Sequence, residues 1–150
     1  MTVRITVSAD YDATPDAVWA VLEPIESHVE WMADAEVIRF RGSQTRGTGT
    51  TFDCVTRVGP IRLTDRMEVT EWDPGRSMGV RHSGLVTGNG AFTLDPFDDG
   101  RRTRFTWQEE LHFPWWVGGP LSERVGGQQV MRRIWAGNLR RLRSLVERSP

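Results

Sequence analysis

The sequence predicts an α+β fold: an antiparallel sheet of about seven strands, two short helices after the first strand, and one long C-terminal helix. Three observations carry this. Segments alternating apolar and polar residues recur from Val3 to His112, most of them separated by Gly, Pro or Asp turn signals. A Thr-Pro pair launches a short amphipathic helix directly after the first segment. Beyond Gly119-Pro120 the period changes from two to that of a helix.

In chain order, Val3, Ile5, Val7 and Ala9 alternate with Arg4, Thr6, Ser8 and Asp10, the pattern of a half-buried strand ending near Tyr11. Thr14 can accept a hydrogen bond from an unpaired amide of the next helix, and Pro15 suits its first position, where the missing N–H costs nothing. That helix covers Asp16 to Leu22 with Val18, Trp19 and Leu22 on one face, and Pro24 ends it. Ser27 is the expected cap of a second short helix reaching Trp31 and Met32. Strands follow near Ala35–Arg41, Thr50–Val58, Ile61–Trp72, Ser77–Ser83, Ala91–Phe97 and Arg102–His112. Gly119-Pro120 and Ser122-Glu123 signal the start of the long helix, in which Met131, Ile134, Trp135, Asn138, Leu139, Leu142, Leu145 and Val146 share a face. Gly126-Gly127 weaken its early part, so the helix begins after them, bends there, or packs closely against a neighbour.

A chain of 150 residues reads as one domain, residues 1–150, large enough to bury a core. Seven Trp and six Phe compensate for a hydrophobic fraction of only 38%. The net charge of −1 recruits neither nucleic acid nor an anionic membrane. All nineteen basic residues are Arg, which rules out Schiff-base lysine chemistry. Cys54, the lone cysteine, has no disulfide partner within the chain and cannot make a paired-cysteine zinc site. His28, His82 and His112 form no metal-ligand spacing, and no metal or cofactor is expected. With neither a signal pattern nor an apolar run of membrane-spanning length, the expectation is a cytoplasmic protein that is not integral to a membrane.

Two turns set the register. A two-residue turn at Pro74-Gly75 places Asp73 opposite Arg76, Glu71 opposite Met78, Val69 opposite Val80 and Met67 opposite His82. A turn at Asp99-Gly100 places Leu94 opposite Phe105, Phe92 opposite Trp107 and Gly90 opposite Glu109. Both agree with the apolar alternation, and both put ionisable side chains on the inner face: Asp65, His82 and Glu109, with Asp65 diagonal to His82. Charged groups there must be paired, hydrated or shifted in protonation, which makes these three the candidate catalytic residues. The alternative, which the pattern favours, is that each sits near a strand end and reaches bulk water, or that Asp65 and His82 simply satisfy each other.

The chain resembles the START-related superfamily, and within it bacterial polyketide cyclase/dehydrase-like and lipid-transport-like proteins. The resemblance spans essentially the whole chain and is carried by "ATPDAVWAVL", "HVEWMADAEVIRF", "MEVTEWDPGRSM", "FTLDPFDDGRRTRFTWQEEL" and "NLRRLRSLVE". It implies a helix-grip fold, in which a curved antiparallel sheet wraps the C-terminal helix around an apolar cavity. It also implies small hydrophobic ligands, with Trp31, Met67, Phe92, Trp107, Met131 and Trp135 as candidate ligand-binding residues. The motifs are structural and match no catalytic signature residue by residue.

The remaining features are weaker. Trp115-Trp116 either gate the cavity mouth, touch a membrane or partner, or plug the open end of the sheet, and with the edge strands they leave a homodimer open. His28 and Trp31, on the short helices, either line the entrance or, as is favoured for His28, lie at the surface. "RGSQTRGTGT" lacks the Lys-Ser/Thr ending of a phosphate loop, and the Arg-rich face of the last helix reads as solvated. Three functions follow: binding or carriage of a small hydrophobic ligand, a cyclase/dehydrase-type enzyme using Asp65, His82 or Glu109, or a regulatory, antitoxin-like interaction module.

Overall fold

The computed structural model describes residues 2–114 and 126–148. Strand β1 (Thr2–Tyr11) leads into helix α1 (Pro15–Leu22) and a 3₁₀ helix (Ile25–Glu30). Six strands follow: β2 (Ala35–Phe40), β3 (Thr51–Val58), β4 (Ile61–Asp73), β5 (Ser77–Ser83), β6 (Thr87–Phe97) and β7 (Arg102–His112). Helix α2 (Gly126–Val146) comes last. It includes Gly126 and Gly127, so it does not begin after them. The start signals at Gly119-Pro120 and Ser122-Glu123, and the Trp115-Trp116 pair, lie outside the described residues.

All seven strands form one antiparallel sheet in the order β1-β7-β6-β5-β4-β3-β2. Strands β1 and β2 are consecutive yet occupy opposite edges, so α1 and the 3₁₀ helix carry the chain across the sheet. Thr14 caps α1 as expected, its hydroxyl accepting from the Ala17 amide at 3.2 Å, and Val18, Trp19 and Leu22 are buried. The second short helix differs from expectation. It starts at Ile25 behind Pro24, has no side-chain cap, and winds as a 3₁₀ helix. With three residues per turn, Ile25 and His28 eclipse and both point inward.

The β6–β7 hairpin has the expected register, Phe92 opposite Trp107 and Gly90 opposite Glu109. Asp99 (φ 56°) and Gly100 (φ 76°) take the left-handed backbone that such a two-residue turn requires. The β4–β5 hairpin keeps Met67 opposite His82 and Val69 opposite Val80. Nearer the turn, however, Glu71 faces Gly79 and Asp73 faces Ser77, rather than Met78 and Arg76. Pro74 followed by Gly75 at φ 79° has the character of a type II turn, whose twist splays a two-residue hairpin. The connection takes three residues instead, and a bulge after Val69 restores the register below it.

Helix α2 lies against the sheet through its C-terminal half, where Trp135, Leu139, Leu142 and Val146 are buried. Arg132, Arg133, Arg140, Arg141 and Arg143 are exposed on its outer side. Trp135 stacks on Trp107 of β7, ring centroids 4.2 Å apart and planes 7° from parallel. Asn138, fully buried, donates to Asp34 Oδ1 at 2.8 Å and accepts from the Ala33 amide at 2.9 Å. The Tyr11 hydroxyl donates to the Leu139 carbonyl at 2.8 Å. No helix among the described residues is long and apolar enough to cross a membrane.

Tyr11→Phe removes the hydroxyl that ties β1 to the Leu139 carbonyl of α2 without changing ring volume. The variant is expected to lose about 1 kcal/mol of stability with an unchanged urea m-value, read from the denaturation midpoint. An unchanged midpoint would show that this bond contributes nothing net.

Candidate functional site

A cavity of about 200 Å³ lies between the inner face of the sheet and the N-terminal half of α2. One buried water needs only roughly 10–15 Å³, so the space is of small-molecule size. Its walls are mainly apolar: Phe52, Leu63, Met67, Met78 and Val80 from β3 to β5, Phe92 and Trp107 from β6 and β7, Met131 and Trp135 from α2. Side chains of like parity face the same side of a strand, so the period-two pattern that fills the core also lines the cavity.

Asp65, His82 and Glu109 come together on this wall. His82 Nε2 stands 2.8 Å from Glu109 Oε2, and His82 Nδ1 stands 3.7 Å from Asp65 Oδ2. Trp107 Nε1 donates to Glu109 Oε1 at 3.1 Å, two residues along the same face of β7. The side chains of His82 and Glu109 are only 7% and 8% exposed. Two buried atoms of this cluster have no hydrogen-bond partner among the described residues, His82 Nδ1 and Asp65 Oδ1. The carboxylates approach opposite nitrogens of one ring, so no shared point exists for a metal ion, and no metal-holding cluster occurs among the described residues.

Space for this arrangement comes from Gly90. A Cβ there would sit 2.5 Å from the Glu109 carboxylate, which instead lies across β6 and reaches His82 on β5. Burial by itself would lower the His82 pKa, but the two neighbouring carboxylates, Asp65 at 3.7 Å and Glu109 hydrogen-bonded at 2.8 Å, outweigh it and raise the group to about 10. His82 therefore carries its proton at neutral pH, an imidazolium between two carboxylates.

His28 is not at the surface. It is buried, lines the cavity, and donates from Nε2 to the Leu22 carbonyl at 2.7 Å. Its ring packs against Trp31 and Phe92, and burial lowers its pKa to about 4, so it is neutral. Met67, Phe92, Trp107, Met131 and Trp135 line the cavity. Trp31 does not: it is fully buried behind the wall, packed on Phe92, Phe105 and Trp107.

Three further residues at the site went unsuggested by the sequence pattern. Asp34 lines the cavity and accepts from Trp135 Nε1 at 3.3 Å as well as from Asn138. It sits in a turn, where no periodicity marks an inward side chain. Cys54 lines the wall opposite Asp65, its thiol pushed up to about 11 chiefly by burial. Gly90 could have been found, since the Asp99-Gly100 register already put it opposite Glu109.

A family model described as polyketide cyclase / dehydrase and lipid transport matches residues 2–147. No curated protein matches the chain. Among solved structures, the Zhui aromatase/cyclase from Streptomyces sp. R1128 superimposes with a TM-score of 0.78 at 18% identity, covering 99% of this chain and 95% of that one. A Thermus thermophilus protein gives 0.74 at 20% identity, covering 96% and 97%. A START superfamily protein from Mycobacterium smegmatis gives 0.76 at 9% identity, covering 97% of both chains. At these identities the likeness shows the fold: a curved antiparallel sheet gripping a C-terminal helix, as the sequence led us to expect.

Gly90→Ala should push Glu109 away from His82. In NMR titration the His82 pKa is then expected to fall from its raised value, and an unshifted value would mean that Glu109 is not what holds the proton. The two buried histidines also shape stability against pH. His82 binds its proton more tightly in the fold, so its contribution is complete below about pH 6.5 and is lost as pH rises towards about 10. His28 binds its proton less tightly in the fold, so its contribution is present above about pH 6.5 and is lost as pH falls towards about 4. In denaturation from about pH 4 to about pH 10, the wild type is expected to lose stability on the acid side more steeply than His28→Gln.

Proposed function

This chain belongs to the polyketide cyclase/dehydrase and lipid transport family, and we propose that it binds and carries a small hydrophobic molecule in the cavity under α2. The observation that supports this most is the wall itself. Aromatic and aliphatic side chains surround most of the space, while the polar groups gather around Asp65, His82 and Glu109. Apolar surface provides affinity and a few placed polar groups provide orientation, the usual division of labour in a small-molecule site.

One specific feature favours a second reading, an enzyme of the cyclase/dehydrase type. An imidazolium held between carboxylates at a cavity wall is a proton donor in an apolar setting. In such an enzyme Asp65 would take a proton from the bound molecule and His82 would give one to a departing hydroxyl, which leaves as water. Zhui, a structural neighbour, is an aromatase/cyclase. Its identity to this chain supports a common fold and leaves the reaction to experiment.

Native mass spectrometry of gently purified protein is expected to show a co-purified hydrophobic molecule, and Nile red is expected to fluoresce on binding. Met67→Trp, which fills the cavity from β4, should weaken Nile red binding about tenfold or more while the circular dichroism stays that of the wild type. Undiminished binding to Met67→Trp would rule the cavity out as the site. For the enzyme reading, His82→Gln should abolish turnover of a cyclising substrate and retain dye binding. Equal loss of both would leave only a structural role for His82.

A further inference from the structure

The hydrogen-bond inventory of the cavity wall specifies the head group of its occupant. Asp34 spends both oxygens on partners, Oδ2 on Trp135 Nε1 and Oδ1 on Asn138 Nδ2. Glu109 spends both as well, Oε1 on Trp107 Nε1 and Oε2 on His82 Nε2. Two buried atoms of this wall, on adjacent side chains, have no partner among the described residues: His82 Nδ1, which carries a hydrogen when the ring is protonated and so is a donor, and the acceptor Asp65 Oδ1. Both residues border the cavity, and the His82 side chain is only 7% exposed, so bulk water does not make up the deficit. An unmet buried polar group is costly, and a suitable ligand atom recovers that cost.

We infer that the cavity takes an uncharged apolar molecule bearing a hydroxyl group, and that this hydroxyl inserts between His82 and Asp65, accepting from the first and donating to the second. The inference rests on the hydrophobic-ligand reading and narrows it. A hydroxyl is donor and acceptor at once, which is what this pair lacks. An ammonium head is attracted by the carboxylates of the wall but only donates, so it leaves His82 Nδ1 unmet and sets a second cation against it. A carboxylate head only accepts, and it would enter a wall holding Asp34, Asp65 and Glu109 against the single charge of His82. No arginine lines the cavity among the described residues. An additional anion buried there is unpaired, and burying an unpaired charge is strongly unfavourable. Rotation of the Asp65 carboxylate admits the hydroxyl, since no described partner holds Oδ1 in place.

The test is a matched series with one tail and three heads: decanol, decylamine and decanoate, each displacing Nile red from the wild-type protein at neutral pH. Decanol is expected to bind at least about tenfold tighter than either charged analogue. In Asp65→Asn the margin over decanoate should shrink, because the wall loses a negative charge. Decanoate or decylamine binding as tightly as decanol to the wild type overturns the inference, whatever the variant does. If Nile red binds and decanol fails to displace it, the inference falls and the cavity reading stands. If Nile red does not bind at all, the cavity reading falls and the inference falls with it.

Discussion

The Trp107–Trp135 stack marks the point on α2 where packing ends and empty space begins. C-terminal to it, Leu139, Leu142 and Val146 are buried against the sheet, and Asn138 and the Leu139 carbonyl are tied to Asp34 and Tyr11. N-terminal to it, Met131, Val130 and Gln128 stand over the cavity. Two indole faces in contact bury a large apolar area and fix the distance between helix and strand. Trp107 also donates to Glu109, and Trp135 to Asp34, so the same two rings that hold the helix orient two of the three carboxylates in the wall. Grip and site share one set of residues.

That sharing explains why a costly arrangement survives inside an otherwise apolar wall. Buried ion pairs seldom add net stability, because desolvation cancels most of the Coulomb attraction. His82 and Glu109 are nearly enclosed, and Asp65 keeps an oxygen that no described residue satisfies. A methionine or leucine at each position would pack at no electrostatic cost. Gly90 points the same way, since a glycine inside a strand gives up both packing and β-propensity. Here its missing side chain is the space in which Glu109 lies. Stability therefore accounts poorly for Asp65, His82, Gly90 and Glu109, gathered from four neighbouring strands, whereas the proposed binding of a ligand would account for them directly.

Much of this is readable in the sequence because a sheet has only two faces. Once Asp99-Gly100 pins β6 to β7, the alternation of Phe92, Leu94, Phe105 and Trp107 determines that Glu109 points inward. The same logic carries Met67, Val69, Val80 and His82, and it survives a wrong turn. The bulge after Val69 absorbs the extra residue of the Pro74-Gly75 connection before the error can reach His82. Where periodicity is short or absent, the pattern misleads. Six residues of 3₁₀ helix are too few to show which side is buried, so the sequence favours the surface for His28 over the cavity wall where it lies. Asp34 lies in a turn, and Trp31, although apolar and inward, sits one layer behind the wall. Depth within a core has no signature in a linear pattern, whereas facing does.

The two cavity histidines show how far local surroundings override residue type. Both are buried to a similar degree, 6% exposed for His28 and 7% for His82. His28 meets aromatic rings and donates one bond to a neutral carbonyl, so nothing repays the desolvation of a charge and its pKa is lowered. His82 meets two carboxylates, which outweigh that desolvation, and its pKa is raised. At neutral pH the wall consequently carries a fixed polarity, neutral beside Phe92 and charged beside Asp65. The difference between two identical side chains thus comes from what stands beside each: the sheet register brings two carboxylates to His82, and the 3₁₀ turn sets His28 against a carbonyl and aromatic rings.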